Sequence, residues 1–155
     1  MLKRSFRGNI AANRPDPRFK VTKILIVEDD GTLVEILEEF FRQVGYNIKV
    51  LNVVNNIIEV AEDFQPDLVL LDYLLPVSNG GELCSQIKRN ETTCMTPVII
   101  FSAYPKVLLS LGDYGCDAFI AKPFDLDNLL FHIEKCLEKP IPCSEGLQFH
   151  SNSYK

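Results

Sequence analysis

The chain has no apolar run long enough to cross a bilayer. Its longest runs are of strand length, far below the roughly 18 residues of a spanning helix, and its N-terminus lacks the apolar core of a secretion signal. These absences predict a soluble, cytoplasmic protein without a membrane span. Histidine is scarce: His132 falls on the last predicted helix and His150 in the tail, and without a clustered partner neither predicts a metal ligand or a catalytic base. Five cysteines (Cys84, Cys94, Cys116, Cys136, Cys143) are an odd number and show no Cys-x-x-Cys spacing, which argues for reduced thiols rather than a zinc or disulfide framework. No glycine-rich phosphate loop of the dinucleotide-binding kind is present, so flavin and nicotinamide cofactors are not expected. Internal repeats and low-complexity segments are also absent.

A net positive charge is confined to the first 20 residues. The net charge is −5, yet six basic side chains (Lys3, Arg4, Arg7, Arg14, Arg18, Lys20) against one acid, Asp16, put the first 20 residues at +5 and leave the remainder at −10. An acidic body argues against direct nucleic-acid contact, which needs clustered Lys and Arg. The organisation this predicts is a basic, poorly ordered arm over 1–20, one domain over 21–140 and a tail over 141–155.

Lys23 to Val27 is a compact apolar strand that ends in three acids, Glu28, Asp29 and Asp30. Leu33, Ile36, Leu37, Phe40, Phe41 and Val44 then recur at helical spacing, and Gly45 closes that helix. Asn47 to Leu51, with Lys49 inside it, reads as an edge strand. A short helix through Ile57, Ile58, Ala61 and Phe64 stops at Gln65-Pro66. Leu68 to Leu71 is continuously apolar and delivers Asp72, followed by a loop with Pro76 and Gly80-Gly81. The next helix is expected from about Glu82 to Arg89, then a strand over Val98 to Phe101 ending in Ser102-Ala103, about two helical turns between Pro105 and Gly112, and a strand over Ala118 to Ala121 ending in Lys122-Pro123. Asp125 caps a last helix, which Pro140 and Pro142 stop.

Strands that are apolar throughout, alternating with helices, predict an α/β fold: a doubly wound, five-stranded parallel sheet with helices on both faces. In such sheets ligands collect at the carboxyl ends of the strands. Asp29, Asp30, Asp72, Ser102 and Lys122 all fall there. Any one of them alone has a bland reading, since an Asp after a strand is usually a turn or cap residue and a Ser can simply close a loop. Together they concentrate acid at one edge, and carboxylates so placed repel one another unless a cation intervenes. Hard oxygen ligands without thiol or imidazole suit Mg²⁺. A hydroxyl and one ammonium beside the metal suit a small oxyanion, and a carboxylate can accept a phosphoryl group as an acyl phosphate.

Over roughly Lys23 to Lys139 the chain resembles the receiver domains of two-component response regulators. The matching residues are Glu28-Asp29-Asp30, Asp72 with Pro76 and Gly80 after it, Ser102-Ala103 and Lys122-Pro123-Phe124. The resemblance implies a flavodoxin-like fold with strand order 2-1-3-4-5. It further implies that Asp72 takes a phosphoryl group from a sensor histidine kinase or histidine phosphotransfer protein, without the chain being an enzyme beyond its own phosphorylation and dephosphorylation. Mg²⁺ would be organised by Asp29, Asp30, Asp72 and the backbone carbonyl of Leu74, with Lys122 pairing first with Asp72 and then with the phosphoryl group. Ser102 and Phe119 would be the switch residues. The readout face would comprise the Pro105 to Gly112 segment, the fifth strand and the last helix, which would meet a downstream protein target or a second copy of the chain. The 16 residues after Lys139 leave no room for an output domain, so the effect is expected to pass through that separate partner.

Two bulky residues, Leu74 and Tyr104, flank the expected phosphoryl site and are read as hindering water and lengthening the acyl-phosphate lifetime. Phe119 has no hydroxyl, so switching there would work by packing. Val107, Leu108, Leu109 and Leu111 are expected to pack, with some exposure on the readout face. Rival readings are a binding-only pseudo-receiver and a Mg²⁺-dependent phosphatase of the haloacid dehalogenase type. The latter needs a second acid two residues after the nucleophile, where Leu74 stands.

Overall fold

The computed structural model describes residues 20–104, 106, 109 and 114–138. Five strands, β1 (Lys23–Val27), β2 (Asn47–Leu51), β3 (Leu68–Asp72), β4 (Val98–Ser102) and β5 (Ala118–Ala121), form one parallel sheet in the order β2-β1-β3-β4-β5. Every position of β3 and β4 is buried, which is why these strands carry no polar alternation: both faces are covered. The flavodoxin-like order expected from the resemblance is the observed one.

Four helices are described. α1 (Gly31–Val44) begins at Asp30, whose side chain accepts from the N–H groups of Thr32 and Leu33, and ends at Gly45 in the left-handed region at φ 88°, the conformation glycine adopts without penalty. α2 (Ile57–Phe64) is capped by Asn56 and closes at Gln65, also left-handed at φ 52°, directly before Pro66. α3 (Gly80–Arg89) starts two residues earlier than the expected Glu82, because Asn79 Oδ1 accepts from Gly81 N–H and thereby places the cap ahead of both glycines. α4 (Leu126–Glu138) starts after Asp125, whose carboxylate accepts from Asn128 N–H at 2.7 Å.

Side chains alternate along each strand, and this splits the core in two. Leu25, Val27, Val69, Leu71, Val98 and Ile100 face α2 and α3, where Ile57, Leu83 and Ile87 meet them. Ile24, Ile26, Leu68, Leu70, Ile99, Phe101 and Ile120 face α1 and α4, against Leu37, Phe41, Leu129 and Ile133. Burying one such aliphatic side chain contributes about 1.5–3 kcal/mol.

The short helix expected between Pro105 and Gly112 lies outside the described residues except for Lys106 and Leu109, both exposed. The basic arm other than Lys20, and the tail, also lie outside them. Reduced thiols are found at Cys84, Cys116 and Cys136, whereas Cys94 is disulfide-bonded, which corrects the expectation of five free thiols; Cys143 lies outside the described residues. Among the described residues no helix is long and apolar enough to cross a membrane.

Candidate functional site

Strand alternation decides which polar residues meet. Glu28 continues β1, donating its N–H to Leu51 O at 3.0 Å, and shares the parity of Ile24 and Ile26. Asp72 shares that of Leu68 and Leu70 and stands in register with Phe101. Lys122 extends β5 through a 2.8 Å bond from its N–H to Ser102 O and shares the parity of Ile120. Glu28, Asp72, Phe101 and Lys122 therefore gather on the α1/α4 face at the carboxyl edge of the sheet.

Their contacts are specific. The Lys122 ammonium lies 2.9 Å from Glu28 Oε2 and 3.6 Å from Asp72 Oδ1, with the Phe101 ring centroid 4.9 Å away. Glu28 is buried, and its other oxygen accepts from the N–H groups of Asp29 and Asp30 at 3.0 Å each. Among the described residues the carboxylates of Glu28, Asp29 and Asp72 each offer an oxygen within 4.8 Å of the others. Asp72 is 6% exposed; burial, then the neighbouring Glu28 charge, push its carboxyl up to about 6, while Lys122 opposes the rise. Burial disfavours the charged carboxylate first, and the Glu28 charge adds to it.

Asp30 departs from its expected place. It belongs to the three-acid run, but its carboxylate accepts from Thr32 and Leu33 at 3.0 and 3.3 Å and so serves the N-terminus of α1 rather than the cluster. The acid beside Asp29 is Glu28, because strand period carries Glu28 to the face of Asp72 while Asp30 is already at the helix cap. Cap chemistry in the run Asp30-Gly31-Thr32-Leu33 was the available signal.

The loop after Asp72 is held close. Leu74 N–H donates to Asp72 Oδ1 at 3.4 Å, Leu74 bridges Asn79, and Gly80 N–H donates to Tyr73 O at 2.9 Å. A Cβ on Gly80 would stand 2.1 Å from Asp72 O, so the backbone there tolerates only glycine. The Lys122–Pro123 peptide is cis. Ser102 and Phe119 have the opposite strand parity, and Phe119 packs on the α2/α3 side. Ser102 is buried and its Oγ accepts from Tyr104 N–H at 3.1 Å. Leu74 and Tyr104 are exposed.

Three carboxylates against one ammonium, with hard oxygens and no imidazole or thiol among them, fit a small divalent cation such as Mg²⁺.

A family model described as the response regulator receiver domain matches residues 24–134. The chain belongs to that family. Response regulator ArlR of Staphylococcus saprophyticus is 40% identical over 123 residues, which are 77% of this chain and 54% of ArlR. The chain thus spans about half the length of that relative. The non-phosphorylated HemR receiver domain from Leptospira biflexa superposes with TM-score 0.63 at 31% identity, covering 78% of this chain and 98% of that one. The receiver domain of the sensor histidine kinase PA1611 from Pseudomonas aeruginosa PAO1, which has a magnesium ion coordinated in its active-site cleft, shares the fold with TM-score 0.70 at 24% identity, over 77% of this chain and 100% of that one. This chain accordingly contains a receiver domain of two-component signalling.

Proposed function

We propose that this receiver accepts a phosphoryl group on Asp72 from a phosphohistidine of a sensor kinase or phosphotransfer protein in the cytoplasm. An Asp72 oxygen forms the new P–O bond as the P–N bond to the donor histidine breaks, leaving an acyl phosphate. The supporting observation is the nearly buried Asp72 carboxylate grouped with those of Glu28 and Asp29 at the carboxyl edge of the sheet, with Lys122 3.6 Å away. Glu28, Asp29, Asp72 and the Leu74 carbonyl would hold Mg²⁺, which supplies positive charge against the phosphoryl oxygens.

Lys122 then follows the charge. It leaves its divided pairing for a phosphoryl oxygen, since phosphorylation adds about −1.5 to −2 charges. Ser102 turns from its own loop towards the phosphoryl group, and Phe119 repacks on its face of the sheet. These contacts differ between the two states and so shift a surface population, read by a downstream protein or a second copy of the chain. Exposed Leu74 and Tyr104 screen the acyl phosphate from water.

Transfer from a histidine-phosphorylated kinase or phosphotransfer protein tests the reading. Label should move to the wild type in Mg²⁺ and stay on the donor with Asp72→Ala; retention on the donor with both proteins contradicts the assignment. In the same assay Leu74→Asn should shorten the lifetime of the transferred label, and an unchanged lifetime removes the screening role.

A further inference from the structure

Lys122 has two anionic partners at unequal distance and a third neighbour that bears on where its ammonium rests between them. Glu28 is fixed from behind by two backbone N–H groups and lies 2.9 Å from the ammonium, against 3.6 Å for Asp72. The third neighbour is uncharged. The Phe101 ring lies with its centroid 4.9 Å from Lys122 Nζ, within the range where the negative ring face attracts a cation, and the attraction grows where water is excluded. Phe101 is 1% exposed and is braced edge-on by Phe124 at 6.0 Å. Its register beside Asp72 on one strand and Ile120 on the other sets the ring between the acceptor and the lysine-bearing strand.

We infer that Phe101 is a positioning residue for phosphoryl transfer: its ring face holds the Lys122 ammonium between Glu28 and Asp72, in reach of the incoming phosphoryl oxygens. The inference rests on the phosphoacceptor reading of Asp72. It assigns to Phe101 a role that its place in the core does not require, since an aliphatic side chain of similar volume would fill the same space.

The test varies the ring's charge distribution at nearly constant shape. Phe101 is replaced by 4-fluoro-, 3,5-difluoro- and pentafluoro-phenylalanine, each weakening the negative face further, and the initial rate of Asp72 phosphorylation by acetyl phosphate is measured at saturating Mg²⁺ with Tm recorded alongside. Rates should fall progressively, by about three- to tenfold at the end of the series, with Tm nearly unchanged, and Phe101→Leu should match the slowest member. The same substitutions at Phe41, buried in the same core and packed on Phe40 and Tyr46, should leave the rate unaltered. A flat Phe101 series in a wild type that is phosphorylated overturns this inference alone. Absence of any phosphoryl increment in the wild type overturns the phosphoacceptor reading and this one with it. If the pentafluoro protein does not fold, the slope over the first two members decides.

Discussion

Glu28 and Lys122 form an ion pair at 2.9 Å in which the Glu28 side chain is wholly buried and the Lys122 side chain is 20% exposed. Loss of one partner from such a pair usually leaves a stranded charge and costs about 3–5 kcal/mol. Here Asp72 remains as a second acceptor. Glu28→Gln should therefore cost less, about 1–2 kcal/mol by chemical denaturation, and should lower the Asp72 pKa, because the Glu28 charge is the second cause of its rise. Carbon-detected NMR titration of Asp72 checks the direction; a further rise would contradict it.

The two acids after Glu28 should separate cleanly. Asp30→Ala removes the α1 cap and should cost about 0.5–2 kcal/mol of stability with little change in Mg²⁺ affinity. Asp29→Ala should leave stability nearly intact and weaken Mg²⁺ binding about tenfold or more. Calorimetry on both variants gives the comparison, and equal losses of metal affinity would return Asp30 to the ligand set.

Stability should depend on pH through Asp72. Folding raises its proton affinity from the ordinary carboxylate range to about 6, so its contribution is full below about pH 4 and is lost as pH rises through about 6. Screening at the sheet edge limits the loss to about 1–2 kcal/mol. Other acids impose the opposite trend, so the readout is the difference between wild type and Asp72→Asn without metal. The difference should grow in favour of the variant between about pH 4 and 6 and level off above that, and Mg²⁺ should shrink it.

Gly80 and Gly31 predict opposite outcomes for the same substitution. Gly80→Ala drives a Cβ into Asp72 O, whereas a Cβ on Gly31 meets nothing within 4 Å. The former should cost about 3 kcal/mol or shift the loop and slow phosphorylation; the latter, in the first turn of α1, should be neutral or stabilising by up to about 1 kcal/mol. Thermal melts of the pair provide the check.

Much of the architecture was legible because β1, β3 and β4 are unbroken apolar runs, a pattern only a doubly covered sheet explains, and because each ends in a polar residue. Asp72 stands out for that reason, and Lys122 because it follows β5 in the same way. Glu28 did not, since three acids in a row look equivalent until strand parity and helix capping sort them. Phe101 reads as core from sequence; only its register beside Asp72 brings the ring to Lys122. Gly80-Gly81 reads as loop from sequence, whereas the close approach to Asp72 demands glycine inside the first turn of α3. Cys94 carries no sequence mark that distinguishes it from the free thiols.

Intact-protein mass after incubation with acetyl phosphate, with and without Mg²⁺, tests the central claim most directly. A single phosphoryl increment that requires Mg²⁺ and disappears in Asp72→Ala is the predicted result. An increment that survives Asp72→Ala, or none from acetyl phosphate and none from a histidine-phosphorylated kinase, would contradict Asp72 as the acceptor.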